Sequence, residues 1–254
     1  MNKLETLLAE PKGNKPLFMA HMIAGFPSVS ESAKVGEALV EGGADIIEIQ
    51  IPFSDPMADG ATISVACQDA LAKGATVESS LKLVERIAKF GKPIAVMSYV
   101  NLVFRFGFLE FAKTIQKTGA SALIVPDCPF DAPEGRELLA ACREADIFLI
   151  PVVSPGVPAE RLQTLAKDAS GFVYCTTRQG ITGATSNFAK DLTDFATLAK
   201  QVFNLPLAVG FGVKSRADVE SLSKIADIVI AGSVFVDTIR NGKSVATKIR
   251  TLTA

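Results

Sequence analysis

Apolar, β-branched runs alternate with amphipathic helical stretches along all 254 residues, and this alternation predicts an α/β fold with a parallel sheet clad in helices. Eight such units in a chain of this length fit a closed (β/α)8 TIM barrel with short extra helices, in one domain over residues 1–254. A doubly wound open sheet is the competing architecture. It calls for a glycine-rich nucleotide loop after the first strand, and that position reads Ala24-Gly25-Phe26-Pro27.

In chain order the strands are expected at 17–24, 45–51, 93–99, 122–125, 147–151, 171–175, 206–210 and 227–231. Each is a short apolar run, as suits a strand covered on both faces. Helical periodicity falls between them, at 30–43, 77–91, 107–119, 133–145, 158–169, 190–203 and 215–225. Several of these segments carry Ser, Asp or Pro in the first turn and end near Gly, the residue types that cap helices.

Composition narrows the function. The chain is 48% hydrophobic and 21% charged with a net charge of −1, which leaves no basic footprint for nucleic acid. No apolar run approaches the roughly 18 residues needed to span a bilayer. The first residues lack the apolar core of a signal peptide. Cys67, Cys128, Cys142 and Cys175 show neither a C-x-x-C pair nor metal-ligand spacing, so reduced thiols and a cytoplasmic location are expected.

The second strand contains the most informative residue. Ile47, Ile49 and Ile51 alternate with Ile46, Glu48 and Gln50. The all-isoleucine face suits helix packing, which turns Glu48 and Gln50 into the barrel lumen. A carboxylate buried without a partner costs several kcal/mol. Glu48 therefore has either an ion-pair partner inside the barrel or a chemical task near the C-terminal end of its strand. Asp59 follows eleven residues on, after the turn-rich Pro-Phe-Ser-Asp-Pro; it is a second candidate acid or simply part of an Asp-Gly turn. Ser54, Asp55 and Pro56 are turn formers, so Asp55 reads as structural.

Three glycine-rich loops follow strands six, seven and eight: Gly180-Ile-Thr-Gly183-Ala, Gly210-Phe-Gly212-Val and Ala231-Gly232-Ser233. Glycine lets main-chain N–H groups approach an oxyanion, a helix N-terminus adds a favourable dipole, and barrels commonly bind phosphate there. Each loop alone is also compatible with a simple turn. The only histidine, His21, lies in the first strand, which removes His-rich zinc sites and argues against Ser-His-Asp or Cys-His catalysis. A lone strand histidine is more often packed than catalytic. Tyr174 and Arg178 flank the end of the sixth strand, where they face either substrate or core.

Ile51-Pro-Phe-Ser-Asp-Pro-Met-Ala-Asp-Gly60 resembles the second-strand signature of the tryptophan synthase alpha subunit family. Tyr99-Val-Asn101-Leu-Val-Phe104, Val125-Pro-Asp127-Cys-Pro129, Thr177-Arg178-Gln-Gly180-Ile-Thr-Gly183-Ala, Gly210-Phe-Gly212-Val and Gly232-Ser233 extend the resemblance over nearly the whole chain, in family order. It implies a carbon–carbon lyase of tryptophan biosynthesis that cleaves indole-3-glycerol phosphate to indole and glyceraldehyde 3-phosphate, without cofactor or metal in this subunit. By position it makes Glu48 the general acid/base that protonates the ring carbon bearing the glycerol chain. Asp59 becomes the acid that binds the indole N–H, Tyr174 a neighbour of the substrate, and Gly183, Gly212, Gly232 and Ser233 the phosphate loops. Loops 53–61 and 178–190 correspond to the family's lids. The resemblance also implies an alpha-beta-beta-alpha heterotetramer whose beta subunit carries pyridoxal phosphate. Pro52, Asp55, Asn101, Asp127 and Pro129 fall at that interface or its supporting loops.

The chain departs from the family pattern at Ala20 and Ala61, each usually Pro, at His21, usually aromatic, and at Ile23, usually Thr. Phe26 replaces the usual Asp and Gln50 the usual Gly. His21, Ile23 and Gln50 are expected at the indole end of the pocket, with His21 within reach of Glu48. Two other readings follow: a weakly active barrel kept as allosteric partner of a beta subunit, or another phosphate-binding barrel enzyme of amino-acid biosynthesis.

Overall fold

The computed structural model describes residues 2–10, 15–176, 188–210 and 212–254. Nine strand segments, all parallel, form one sheet: β1 (Leu17–Ile23), β2 (Ile46–Gln50), β3 (Ile94–Met97), β4 (Ala122–Ile124), β5 (Phe148–Ile150), β6 (Val152–Val153), β7 (Val173–Cys175), β8 (Leu207–Val209) and β9 (Ile228–Ala231). Their order is β5-β4-β3-β2-β1-β9-β8-β7-β6. β5 falls within the expected fifth strand and β6 continues it two residues past its expected end, the two parted at Pro151, whose missing N–H interrupts the ladder. The Pro151 carbonyl still accepts from the Tyr174 N–H at 2.9 Å, so the chain running from β5 into β6 closes the sheet into a barrel.

Twelve helices surround it among the described residues: α1 (Lys3–Ala9), α2 (Ser32–Glu41), α3 (Ala61–Ala72), α4 (Val77–Ala88), α5 (Val100–Phe106), α6 (Phe108–Lys117), α7 (Pro133–Glu144), α8 (Ala159–Ala166), α9 (Phe188–Phe203), α10 (Arg216–Leu222), α11 (Ser233–Arg240) and α12 (Val245–Thr253). The seven helices expected from periodicity are all present, each within a few residues of its expected ends. Local chemistry fixes several starts. Thr76 and Ser79 form a reciprocal capping box at α4, Ser215 and Asp218 another at α10, and Pro133 opens α7. α1 was not expected. Asn2 caps it by accepting from Leu4 N–H and ties it to the barrel by donating to the Ser121 carbonyl, while Leu4 plugs the lumen.

The side-chain alternation in β2 follows the expected parity. Ile47, Ile49 and Ile51 pack outward with Leu39, Val84 and Ile87 of the helix layer, whereas Ile46 joins Met19, Ala95, Ala122 and Ile228 in the lumen. Each of these isoleucines is fully buried, worth about 1.5–3 kcal/mol per side chain. The lumen is apolar at its lower levels and turns polar only towards the C-terminal ends of β1 and β2. That gradient places the site.

Candidate active site

His21 and Glu48 are direct neighbours across the β1–β2 ladder. Both are buried, and His21 Nδ1 stands 3.2 Å from Glu48 Oε2. This is ion-pair distance without hydrogen-bond alignment, because Glu48 Oε2 has no hydrogen-bond partner among the described residues. Burial pulls the His21 pKa down, but the Glu48 carboxylate, and more weakly Asp59, outweigh it and leave His21 raised above 6.5.

One level up, Gln50 lies beside Ile23 of β1 and Met97 of β3. Its Nε2 donates to Asp59 Oδ2 at 2.6 Å and lies 3.5 Å from Cys67 Sγ of α3. Asp59 thus reaches the lumen mouth although it belongs to the loop between β2 and α3. Two further contacts fasten that loop. Ala58 N–H donates to Tyr99 Oη at 3.1 Å, and the Phe53 ring stacks on Tyr99 with centroids 5.3 Å apart. Burial raises the Asp59 pKa against the lowering effect of Gln50. Burial also pushes the Cys67 thiol up to about 12, so it is a neutral neighbour and no nucleophile. Tyr174 lies in β7 on the lumen side; burial and the charges of Glu48 and Asp59 hold its phenol firmly protonated.

His21, expected at the indole end, lies instead between Glu48 and the expected phosphate end, with its ring against Gly232. Gly232 directly precedes α11, and a Cβ placed on it would lie 3.0 Å from His21 Cδ2, so any larger residue here would push on the imidazole. Ser233 opens α11, whose N-terminal N–H groups favour an anion. Gly212, after β8, has a φ of 58° and open space where a side chain would stand. Gly183 and Arg178, with most of the loop expected as the second lid, lie outside the described residues. Among the described residues His21 Nε2, Glu48 Oε2, Gln50 Oε1 and Ser98 Oγ are buried without a hydrogen-bond partner. The first three belong to the lumen row of β1 and β2, where a ligand would complete them, whereas Ser98 shares the outward parity of Val96.

Other expected site residues lie outside this cluster. Asp55 is exposed and accepts from the Ser54 hydroxyl at 2.5 Å. Asn101 is exposed in α5, and Asp127 is exposed with Oδ1 accepting from Val100 N–H at 2.9 Å. Pro52 is buried at the start of the loop after β2. Met57, 89% exposed, and Phe104, 67% exposed, add apolar surface to the same rim. Phe26 packs with Ile23, Ile63 and Ala66, under the Arg240 guanidinium at 5.6 Å. Ala61 is an exposed first residue of α3.

Tyr99 and Cys67 were not among the expected site residues. Tyr99 was findable, since Ala95, Met97 and Tyr99 share the lumen parity of β3 and its continuation. Among the described residues no three His, Cys, Asp or Glu side chains are grouped to hold a metal ion. No helix among them is long and apolar enough to cross a membrane. A separate cleft of about 340 Å³, lined by Lys15, Asp45 and Glu220 among others, opens at the N-terminal ends of β1 and β2, away from these acids.

A parallel (β/α)8 barrel with two acids at the C-terminal mouth and a glycine-led helix start beside them defines a barrel enzyme of the acid–base, phosphate-handling class. The family model for the tryptophan synthase alpha chain matches residues 8–254, and the chain belongs to that family. It is 39% identical over 241 residues to the tryptophan synthase alpha chain of Syntrophotalea carbinolica, covering 94% of each chain. Against that of Desulfotalea psychrophila it is 40% identical over 233 residues, covering 91% of each. Among solved structures, tryptophan synthase from M. tuberculosis in an aminoacrylate-bound form superposes with a TM-score of 0.88 at 33% identity, covering 100% of this chain and 97% of the other. The subunit alpha from Legionella pneumophila superposes with a TM-score of 0.88 at 27% identity, covering 99% and 97%.

Proposed function

We propose that this chain, as one domain over residues 1–254 working in the cytoplasm, cleaves indole-3-glycerol phosphate with Glu48 as general acid and Asp59 as the partner of the ring N–H. The alpha chain of tryptophan synthase is a carbon–carbon lyase that works without a cofactor of its own, and pyridoxal phosphate belongs to its beta subunit. One observation carries the reading: His21 touches Glu48 on one side and Gly232, at the start of α11, on another, and so connects the acid to the expected phosphate end. That succession suits a substrate with an aromatic ring at one end and a phosphate at the other.

In this mechanism Glu48 delivers a proton to the ring carbon that bears the glycerol chain. Positive charge then develops on the ring nitrogen, and Asp59, held in place by Gln50, is positioned to stabilise it. Main-chain N–H groups at Gly212, Gly232 and Ser233, together with Gly183, take the phosphate. Tyr174, held protonated, serves as a hydrogen-bond donor and wall for the ring. Asp55, Asn101 and Asp127, with Met57 and Phe104, supply the rim on which a beta subunit docks. Indole release from indole-3-glycerol phosphate, assayed with the chain alone and with a beta subunit, tests the reading. Absence of indole in both would sink it.

A second reading has one observation behind it. Gln50 is fully buried, and its amide already engages Asp59 in space the family leaves to glycine. If that contact blocks the ring, the barrel serves chiefly to activate a beta subunit. Strong activation of the beta reaction without lyase turnover distinguishes this case.

A further inference from the structure

We infer that His21 is a catalytic residue of this lyase: its Nε2 takes the proton of the glycerol-chain hydroxyl that becomes the aldehyde oxygen. The inference rests on the reading of Glu48 and Gly232 given above. The hydroxyl-bearing carbon is bonded directly to the ring carbon that Glu48 protonates. Its oxygen therefore lies next to Glu48, on the side that leads to the phosphate. His21 is the residue on that side, with Nδ1 3.2 Å from Glu48 Oε2 and its ring against Gly232.

Nε2 is free for this task. His21 is only 8% exposed, and Nε2 has no hydrogen-bond partner among the described residues. A buried imidazole nitrogen left open is costly unless a ligand meets it. The neighbouring groups are poor bases. Tyr174 and Tyr99 are held protonated by burial, the Cys67 thiol is raised to about 12, and Asp59 already accepts from Gln50. Glu48 must carry a proton into the reaction, so a separate base lets donation and removal proceed together.

The step balances. Glu48 gives its proton to the ring carbon, whose C=C π pair becomes the new C–H bond and leaves the ring nitrogen cationic. His21 Nε2 takes the hydroxyl proton, and the electron pair left on oxygen forms the C=O bond. The C–C bonding pair returns to the ring as C=C, and the nitrogen recovers its pair. The proton on His21 Nδ1 passes to Glu48 as their 3.2 Å contact closes into a hydrogen bond, and exchange of the imidazole protons with water after product release restores the Nδ1–H tautomer for the next turnover. No proton is gained or lost, and indole and glyceraldehyde 3-phosphate are released.

The titratable groups facing His21 are Glu48 from β2 and Asp59 from the loop after it; Gln50 adds a polar amide and β9 leads only to Gly232. The test compares the full chain with His21→Phe and His21→Gln by indole release from indole-3-glycerol phosphate between about pH 6 and 9, with inorganic phosphate binding as the check on fold and anion site. Both variants should lose at least about 10²-fold in kcat while phosphate affinity stays within about twofold. The unaltered chain should lose rate on the alkaline side with a midpoint above 6.5, as His21 gives up its proton, and the variants should not keep that midpoint. His21→Gln keeps a donor towards Glu48 but cannot take a proton. If it retains the unaltered rate, His21 is no base and the inference fails, and this variant decides if His21→Phe loses phosphate binding. A working chain with an active His21→Gln overturns the dyad alone. An unaltered chain that releases no indole overturns the dyad together with the lyase reading.

Discussion

Gln50 and Asp59, nine residues apart in sequence, are joined by a hydrogen bond of 2.6 Å between Nε2 and Oδ2 at the mouth of the barrel. One end of this contact is a rigid strand and the other a loop. Gln50 therefore converts the position of Asp59 from a property of the loop into a property of β2. The same loop is clipped a second time where Ala58 N–H meets Tyr99 Oη.

Replacing Gln50 with Ala should free that loop. We expect trypsin-independent proteases such as thermolysin to cut within residues 53–60 faster than in the unaltered chain. The loss of a hydrogen bond to a charged group should lower global stability by about 1–2 kcal/mol in denaturant unfolding. Unchanged cleavage and stability would show that Tyr99 alone holds the loop.

Asp59→Asn separates stability from activity. Burial raises the Asp59 pKa, which marks a desolvation cost borne by its charged form. The amide keeps an oxygen for Gln50 but carries no charge. At about pH 8 the variant should unfold at equal or higher denaturant, while indole release falls by about 10²-fold for want of a counter-charge to the ring nitrogen. Loss of stability would mean that Asp59 is held in place by more than its contact with Gln50.

Stability should also depend on His21. Its folded pKa is raised above 6.5, so the stabilisation it contributes is fully present below its unfolded pKa and fades as pH rises through the folded value. Asp59, also raised, shifts stability in the same direction, since its folded form retains the proton longer. Urea unfolding at a series of pH values from about 5 to 9 should show stability falling with pH, with a smaller fall in His21→Phe.

Gly232→Ala probes the phosphate end. The added Cβ would lie 3.0–3.2 Å from three His21 atoms, closer than packed atoms sit, so the imidazole or the start of α11 must shift. We expect a weaker affinity for glycerol 3-phosphate by about tenfold or more, read by calorimetry. An unaltered affinity would separate Gly232 from the anion site.

Much of this arrangement was legible in the residues themselves. The isoleucine alternation in β2 gave the direction of Glu48 and Gln50, because a strand covered on both faces must present one row to the helices and one to the lumen. The break at Pro151 follows from a missing donor that is plain in the sequence. The contacts that build the site were harder to read. Whether Asp59 enters the mouth or stays in an Asp-Gly turn depends on the loop's path. That path is set by Tyr99, 41 residues from Ala58. His21 was legible as a neighbour of Glu48, but its approach to Gly232 joins the first strand to the last and depends on barrel closure. α1 is not legible in the sequence because a two-turn helix has little periodicity of its own; it is held by the Asn2 cap and by Leu4 in the lumen.

The central claim is that Glu48 delivers the proton that breaks the substrate's carbon–carbon bond. The most direct measurement is single-turnover indole release from indole-3-glycerol phosphate by the full chain and by Glu48→Gln, each with a beta subunit present. The account predicts indole from the unaltered chain and a rate at least about 10²-fold lower in the variant, with substrate still bound. Equal rates in the two would contradict it.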